Sequence, residues 1–396
     1  MLAKCDTREE IADFATEQHE FLLTIRCTDG HGRFKQFLEL PNGIPSHDTI
    51  NRTFSLIDPI LWQQLFASWM QLQTPESFEK IKHIQIDGKI LCGSRSTGTE
   101  KRADQPKKPA VEIVSAWSSE HELVLGHVTV ESTSNEIKAV PVLLKLLDLE
   151  GTLVSLDAMG CQKDTTDLII EGGGDYLVAL KGNQGTLHQA AQDLFDDVLK
   201  DTGNTREKPE RDSSFDVGHG REEERTCYVL KDLEQLAAAD CQVESWRNLK
   251  CLIVVEAKTF RQGKSSFERR YFLSSKDWTA EQALEGVCGH WTIENQATMP
   301  EATQARQRSR PKVHFGNKKV HLWGQEGAFY SQEQNYVLDV VFREDASRTR
   351  RGFAAENLAL IRRLALNLLN LDVSVNISKR RKRLRALLNP DYTDSG

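Results

Sequence analysis

The order of elements between residues 82 and 200 most constrains the fold. Three short β-rich runs, "HIQIDGKIL", "AVEIVSAWSS" and "ELVLGHVTVES", come first. A leucine-striped helical segment follows, "NEIKAVPVLLKLLDLE", then a strand, "GTLVSLDAMG", and a helix closed by glycines, "CQKDTTDLIIEGGG". The strand "DYLVALKG" and the helix "TLHQAAQDLFDDVLK" complete the series. Strands that alternate with amphipathic helices need a sheet on which to bury the helical stripes. The pattern predicts the α/β class, a mixed sheet flanked by helices. Two of its strands end on acids, Asp87 and Asp157, with the small residues Gly88, Ala158 and Gly160 beside them. A carboxylate next to a buried strand is costly unless a partner compensates it.

The flanking segments divide into four regions. Residues 1–80 form an N-terminal helical region: "TREEIADFATEQHEFLL" is amphipathic, Ser46 or Asp48 offers an N-cap, and a further helix is expected around Pro59–Leu72. The core begins at residue 81 and is interrupted by a β-rich insertion over 201–275. It resumes over 276–370 with the helix "TAEQALEGVCGHWTIEN". Leu284, Val287, Cys288 and Trp291 make one stripe there, and Glu294, three residues beyond Trp291, continues it. Residues 371–396 are a basic tail containing "KRRKRLR".

Composition removes several classes of function. No run approaches the roughly 18–20 apolar residues that cross a bilayer, so no membrane partner is expected, and the start has no signal-peptide architecture. The eight cysteines include no C-x-x-C pair, which argues against zinc and disulfides and for a reducing cytoplasm. The formal charge of −7 means that a polyanion must be met by local basic patches. Lys379, Arg380, Arg381, Lys382 and Arg383 form the most obvious one, readable as a nucleic-acid contact or as a solvated tail.

Asp87, Asp157 and Glu294 share a property: each acid sits where its element turns inward. In a sheet that places the fourth strand beside the first, the two aspartates become neighbours, and a later helix can bring the glutamate to them. Three close carboxylates repel one another, and divalent cations relieve that repulsion. All-oxygen ligands suit Mg²⁺ or Mn²⁺. Two such ions roughly 3.5–4 Å apart can activate a water or a 3′-hydroxyl and stabilise the leaving oxygen of a phosphodiester.

The strings "LPNGIPSHDT", "IDGK", "SNEI", "LDAMGCQK", "YLVALKGNQ", "GHGR", "HWTIEN" and "LDVVFREDASR" together resemble the H-repeat-associated transposases of bacterial insertion sequences, from about Asp6 to Tyr392. That family belongs to the DDE superfamily. The resemblance implies an RNase H-like core in which Asp87, Asp157 and Glu294 are the catalytic, metal-holding acids. It also implies Mg²⁺-dependent cleavage and strand transfer on double-stranded DNA at terminal inverted repeats, with no covalent protein–DNA intermediate. The working form implied is a homo-oligomer assembled on DNA.

The chain departs from that pattern in three places. Its N-terminus is shorter, Thr24–Gln36 is an extra piece, and residues 297–334 are inserted where the family runs almost directly from "IEN" to "LDVVFRED". The insert supplies Arg306, Arg308, Arg310, Lys312, Lys318 and Lys319 to a possible DNA-contacting loop. Alternatively it marks a catalytically degenerate, DNA-binding relic. Glu344 and Asp345 are rivals to Glu294 but lie on no clear buried stripe. Further DNA-contact candidates are Lys89 and Lys181 past strand ends, His219 and Arg221 in the β-rich insertion, and His290 beside Trp291.

Overall fold

Helices cover both faces of one broad sheet in the computed structural model of the protein. It describes residues 1–24, 26–28, 34–36, 40–73, 82–95, 109–118, 120–130, 135–200, 208–218, 221–234, 236, 243–261, 263–291, 337–372 and 374–388. The described N-terminal residues form α1 (Arg8–Glu17), α2 (His19–Thr24), α3 (His47–Leu56) and α4 (Pro59–Gln73). A capping box starts α1: the Thr7 side chain accepts from Glu10 N and the Glu10 carboxylate accepts from Thr7 N. Of the two caps offered for α3, Ser46 is the one used, accepting from Thr49 N. Between α2 and α3 the extra piece forms a small antiparallel pair, β1 (Arg26–Thr28) and β2 (Phe34–Gln36).

The main sheet is built from β3 (His83–Leu91), β4 (Val111–Ser118), β5 (Leu123–Val130), β6 (Leu153–Leu156), β7 (Asp175–Leu180), β8 (Glu210–Gly218), β9 (Arg221–Leu230), β10 (Cys251–Arg261) and β11 (Lys264–Ser274). Its order is β5-β4-β3-β6-β7-β11-β10-β9-β8. The fourth core strand, β6, thus lies parallel between β3 and β7, and β4 and β5 complete that half as antiparallel neighbours. The β-rich segment continues the same sheet, because β11 pairs antiparallel with β7. The inner halves of β10 and β11 are buried and their outer halves exposed, so the ribbon runs out beyond the core.

Helices α5 (Glu136–Leu144), α6 (Lys163–Glu171) and α7 (Gly185–Lys200) follow β5, β6 and β7. Alternation along the strands separates the two faces. Ile84, Ile86, Val154, Leu156, Tyr176, Val178 and Leu180 belong to the core under α5, α6 and α7, with Leu143, Ile169, Ala191 and Phe195. Leu153, Leu177 and Ala179 point the other way and join Ala283, Leu284 and Val287 of α8 (Ala280–Trp291). Full burial of one such leucine is worth about 1.5–3 kcal/mol, so the predicted stripe holds α8 in place. Its last turns stand over β8 and β9, toward the opposite edge of the sheet from β3.

Two C-terminal helices close the molecule, α9 (Ala354–Leu371) and α10 (Lys379–Leu388). Ala355 and Ala359 of α9 pack on Leu91, Val111 and Ile113. Asn367 pairs with β5 like an extra strand residue, accepting from Val124 N at 2.9 Å and donating to Val124 O at 2.8 Å. Among the described residues no helix is long and apolar enough to cross a membrane.

Candidate active site

Ile86 is paired in register with Leu156, and each is followed by an aspartate, so Asp87 and Asp157 stand side by side. Asp157 lies just past the end of β6, but Asp87 does not end its strand as expected: β3 runs on through Lys89 to Leu91, held by β4 after its pairing with β6 has stopped. Neighbouring strands are about 4.8 Å apart, the adjacency expected of a sheet that places the fourth strand beside the first. The loop after Asp157 is fixed by its own chemistry. Asp157 Oδ1 accepts from Met159 N at 3.0 Å and Gly160 N at 3.2 Å, so the carboxylate builds the turn that presents it. Any side chain at Gly160 would collide with Leu156, whose Cδ2 lies 2.6 Å from where a Cβ would stand. Three amides pin the loop from outside. Gln162 Nε2 donates to Met159 O at 3.4 Å, Gln184 Nε2 to Cys161 O at 2.9 Å, and Asn183 Nδ2 to Ala158 O.

Two further acids complete the cluster, and the sequence reading missed both. Glu136 opens α5, and its carboxylate lies on the backbone of Gly88: a Cβ there would stand 1.9 Å from Glu136 Oε1. This is why a glycine follows Asp87. Burial, a hydrogen bond with Glu112 and the negative charges of Asp157, Glu112 and Asp87 push the Glu136 carboxyl up to about 8. Glu112 reaches it from β4, where its register partner is Ile90. The only signal in the sequence was the acid of "SNEI" directly after a strand. An acid in a first helical turn is ordinary.

Behind Asp87 lies a buried ionic network. Ser115 is the register partner of Asp87 and accepts from Arg363 Nε at 3.3 Å. Arg363 Nη1 donates to Glu344 Oε1 at 2.9 Å, and Lys89 Nζ is 3.1 Å from Glu344 Oε2, in an ion pair rather than an aligned hydrogen bond. Lys89 also bonds Asp339 of the turn Val337–Val341. Burial raises the Glu344 carboxyl, but Arg363, Lys89 and Arg362 outweigh it and hold the group at about 2. His127, opposite Ser115 on β5, is kept neutral by burial and by Arg363, against the pull of Glu344, and sits at about 3. Glu344 is thus compensated by two cations of its own chain, and the ammonium of Lys89 is engaged in holding the C-terminal segment to β3.

The other expected contacts divide. Lys181 is exposed just past β7. Arg380 and Arg381 are exposed on α10, whereas Lys382 and Arg383 are buried. Lys382 Nζ donates to Leu369 O at 2.8 Å and also to Asp372 O. Arg383 bonds Met1 O, Val341 O and Asp6 Oδ1, with its guanidinium over the Phe342 ring. The basic run is an amphipathic helix with its cations divided between solvent and core. Lys379 lies 3.7 Å from Glu122. Arg221 opens β9 and His290 lies in the last turn of α8, but their side chains are outside the description. Glu294, His219 and the insert 297–334 with its basic residues lie outside the described residues. The end of α8, at Cys288, is among the charges of Arg225, Glu223, Asp216 and Arg270.

Among the described residues no three His, Cys, Asp or Glu side chains are placed to hold a metal ion. The donors at the sheet end are carboxylate oxygens only, the kind a hard divalent cation takes. The mutual repulsion at Glu136 is what such an ion relieves.

A mixed sheet of this strand order with helices on both faces is an RNase H-like DDE fold. The family described as "Transposase DDE domain" matches residues 79–298, and the segment associated with that domain matches residues 1–70. The chain is similar to "Putative transposase YncI" of Escherichia coli O157:H7, 35% identical with 100% of this chain and 85% of that one covered. It is also similar to "H repeat-associated putative transposase YhhI" of Escherichia coli strain K12, 34% identical with 98% and 86% covered. A solved piggyBac transposase synaptic complex with hairpin DNA overlaps at a TM-score of 0.37 and 11% identity, covering 88% of this chain and 60% of that one, too loosely to carry an argument. The chain belongs to the H-repeat-associated transposases of the DDE family.

Proposed function

We propose that the protein cuts and joins DNA strands at the ends of a bacterial insertion sequence, with double-stranded terminal inverted repeats as substrate and a homo-oligomer as the working assembly. The observation that carries the reading is the side-by-side placement of Asp87 and Asp157 in a chain of the DDE family. These two carboxylates, with Glu294 as the third, are the residues that would hold Mg²⁺ or Mn²⁺. When bound, the ions supply an activated hydroxyl nucleophile and a neutralised leaving oxygen. The chain itself fixes the geometry. The Asx turn and three amides hold the Asp157 loop, and Ser115 with the Arg363 network holds the strand pair behind Asp87. Exposed Lys181, Arg380 and Arg381 are the basic groups offered to phosphates.

The test is nicking and joining of a duplex taken from the DNA flanking the gene, with Mg²⁺. The expected result is activity that Asp157→Ala abolishes without changing the circular dichroism spectrum. Activity that survives the substitution would reject the assignment. A second reading, a DNA-binding relic, is favoured by one observation: α8 ends over β8 and β9, and an insert follows Glu294 almost at once. Salt-dependent binding without cutting in the intact chain, with cutting restored on deletion of residues 297–334, would select it.

A further inference from the structure

A cleft of about 480 Å³ opens between the first turns of α5 and α6 and adjoins the acid cluster. One wall begins at Ile137, next to the Glu136 that covers Gly88, and the other at Gln162, where the Asp157 loop ends. Each helix contributes a lysine from its start, Lys138 and Lys163. Asn135 and Gln162 occupy the N-cap positions, and neither side chain caps its helix. The positive ends of both helices therefore lack a side-chain cap, although the Lys138 N–H is already bonded to Asn135 O at 3.1 Å. Thr165 is 1% exposed and lines the cleft, and among the described residues nothing is hydrogen-bonded to its hydroxyl. Asp164 is the one acid in the wall, and it is exposed.

We infer that this cleft seats a sugar–phosphate unit of the DNA strand next to the linkage presented to Asp87 and Asp157. Two lysines, two uncapped helix starts and a buried hydroxyl are donors that suit a phosphodiester, and a lone aspartate on the rim does not cancel them. The volume exceeds what one phosphate needs, and Ile137 and Pro141 give the sugar an apolar wall. Gln162 and Gln184, which pin the Asp157 loop, also line the cleft, so a strand held there is in register with the aspartates. The inference rests on the reading of DNA as substrate, but not on catalysis.

The test uses the full-length protein without divalent metal and a fluorescent duplex from the DNA flanking the gene, with binding measured across a salt series. Loss of two phosphate contacts makes the slope of log K against log salt shallower by about 1.4–1.8. The variant Lys138→Ala/Lys163→Ala is expected to show that change. Lys258→Ala, an exposed lysine on the outer half of β10, is expected to show less. Equal slopes for the double variant and the wild type would overturn the inference, as would absence of salt-dependent binding. A shallower slope in a protein that never cuts DNA would leave the inference standing and remove only the catalytic reading. Thr165→Val adds a neutral check, with weakened binding expected at unchanged slope.

Discussion

Replacing Glu344 by glutamine removes one negative charge from a site that holds two cations. The carboxylate is 1% exposed, 2.9 Å from Arg363 Nη1 and 3.1 Å from Lys89 Nζ. Its folded value of about 2 lies below the ordinary 4.5. A tenfold change in acidity corresponds to about 1.4 kcal/mol, so the network contributes about 3 kcal/mol at neutral pH. That agrees with the roughly 3–5 kcal/mol seen when one partner of a buried pair is removed. The sign follows from the depressed value: the stabilisation is complete above pH 4.5 and is lost as pH falls toward 2. At pH 3 about half of it remains. Urea unfolding of wild type and Glu344→Gln at pH 7 and at pH 3 measures both quantities. A gap of about 3 kcal/mol at pH 7 that halves at pH 3 is expected. A gap of equal size at the two pH values would show that the loss is not electrostatic and would refute the reasoning.

Gly88→Ala places a Cβ 1.9 Å from the present position of Glu136 Oε1, so the carboxylate must swing away; calorimetry with Mn²⁺ should show weaker binding in a protein of unchanged circular dichroism. Arg383→Met leaves Asp6 without its guanidinium partner and should cost about 3–5 kcal/mol, read as faster proteolytic release of the N-terminal helices. Arg380→Ala with Arg381→Ala should change stability by no more than about 0.5 kcal/mol while weakening DNA binding in a filter assay; intact affinity would exclude these two as contacts.

The sheet was legible because apolar runs and glycine stops mark its strands and helices, but the order of its strands was not: that the fourth core strand lies beside the first was a condition of the reading, and the β3–β6 pairing meets it. Given that order, the approach of Asp87 to Asp157 follows. Glu112 and Glu136 were not legible. One alternates with apolar residues on a strand and the other opens a helix, both unremarkable places for an acid, and only folding brings Glu136 onto Gly88 and Glu112 to Glu136. The run "KRRKRLR" misled by composition. Lys382, Arg383 and Ala386 form a buried stripe on α10, but their partners include Met1 and Asp6, far away in the chain. No local pattern announces a cation whose counterion is at the other end of the sequence. The lowered pKa of Glu344 was equally hidden, since its partners come from β3 and α9.

The bond between Arg383 and Asp6 has a consequence for biosynthesis. Asp6 leaves the ribosome 377 residues before Arg383. Until then the N-terminal helices lack this clamp. Before α10 is made, Asn357 and Arg362 of α9 already hold the α3 end and Asp6 O, so α10 adds the last of several fastenings between the N-terminal helices and the C-terminal pair.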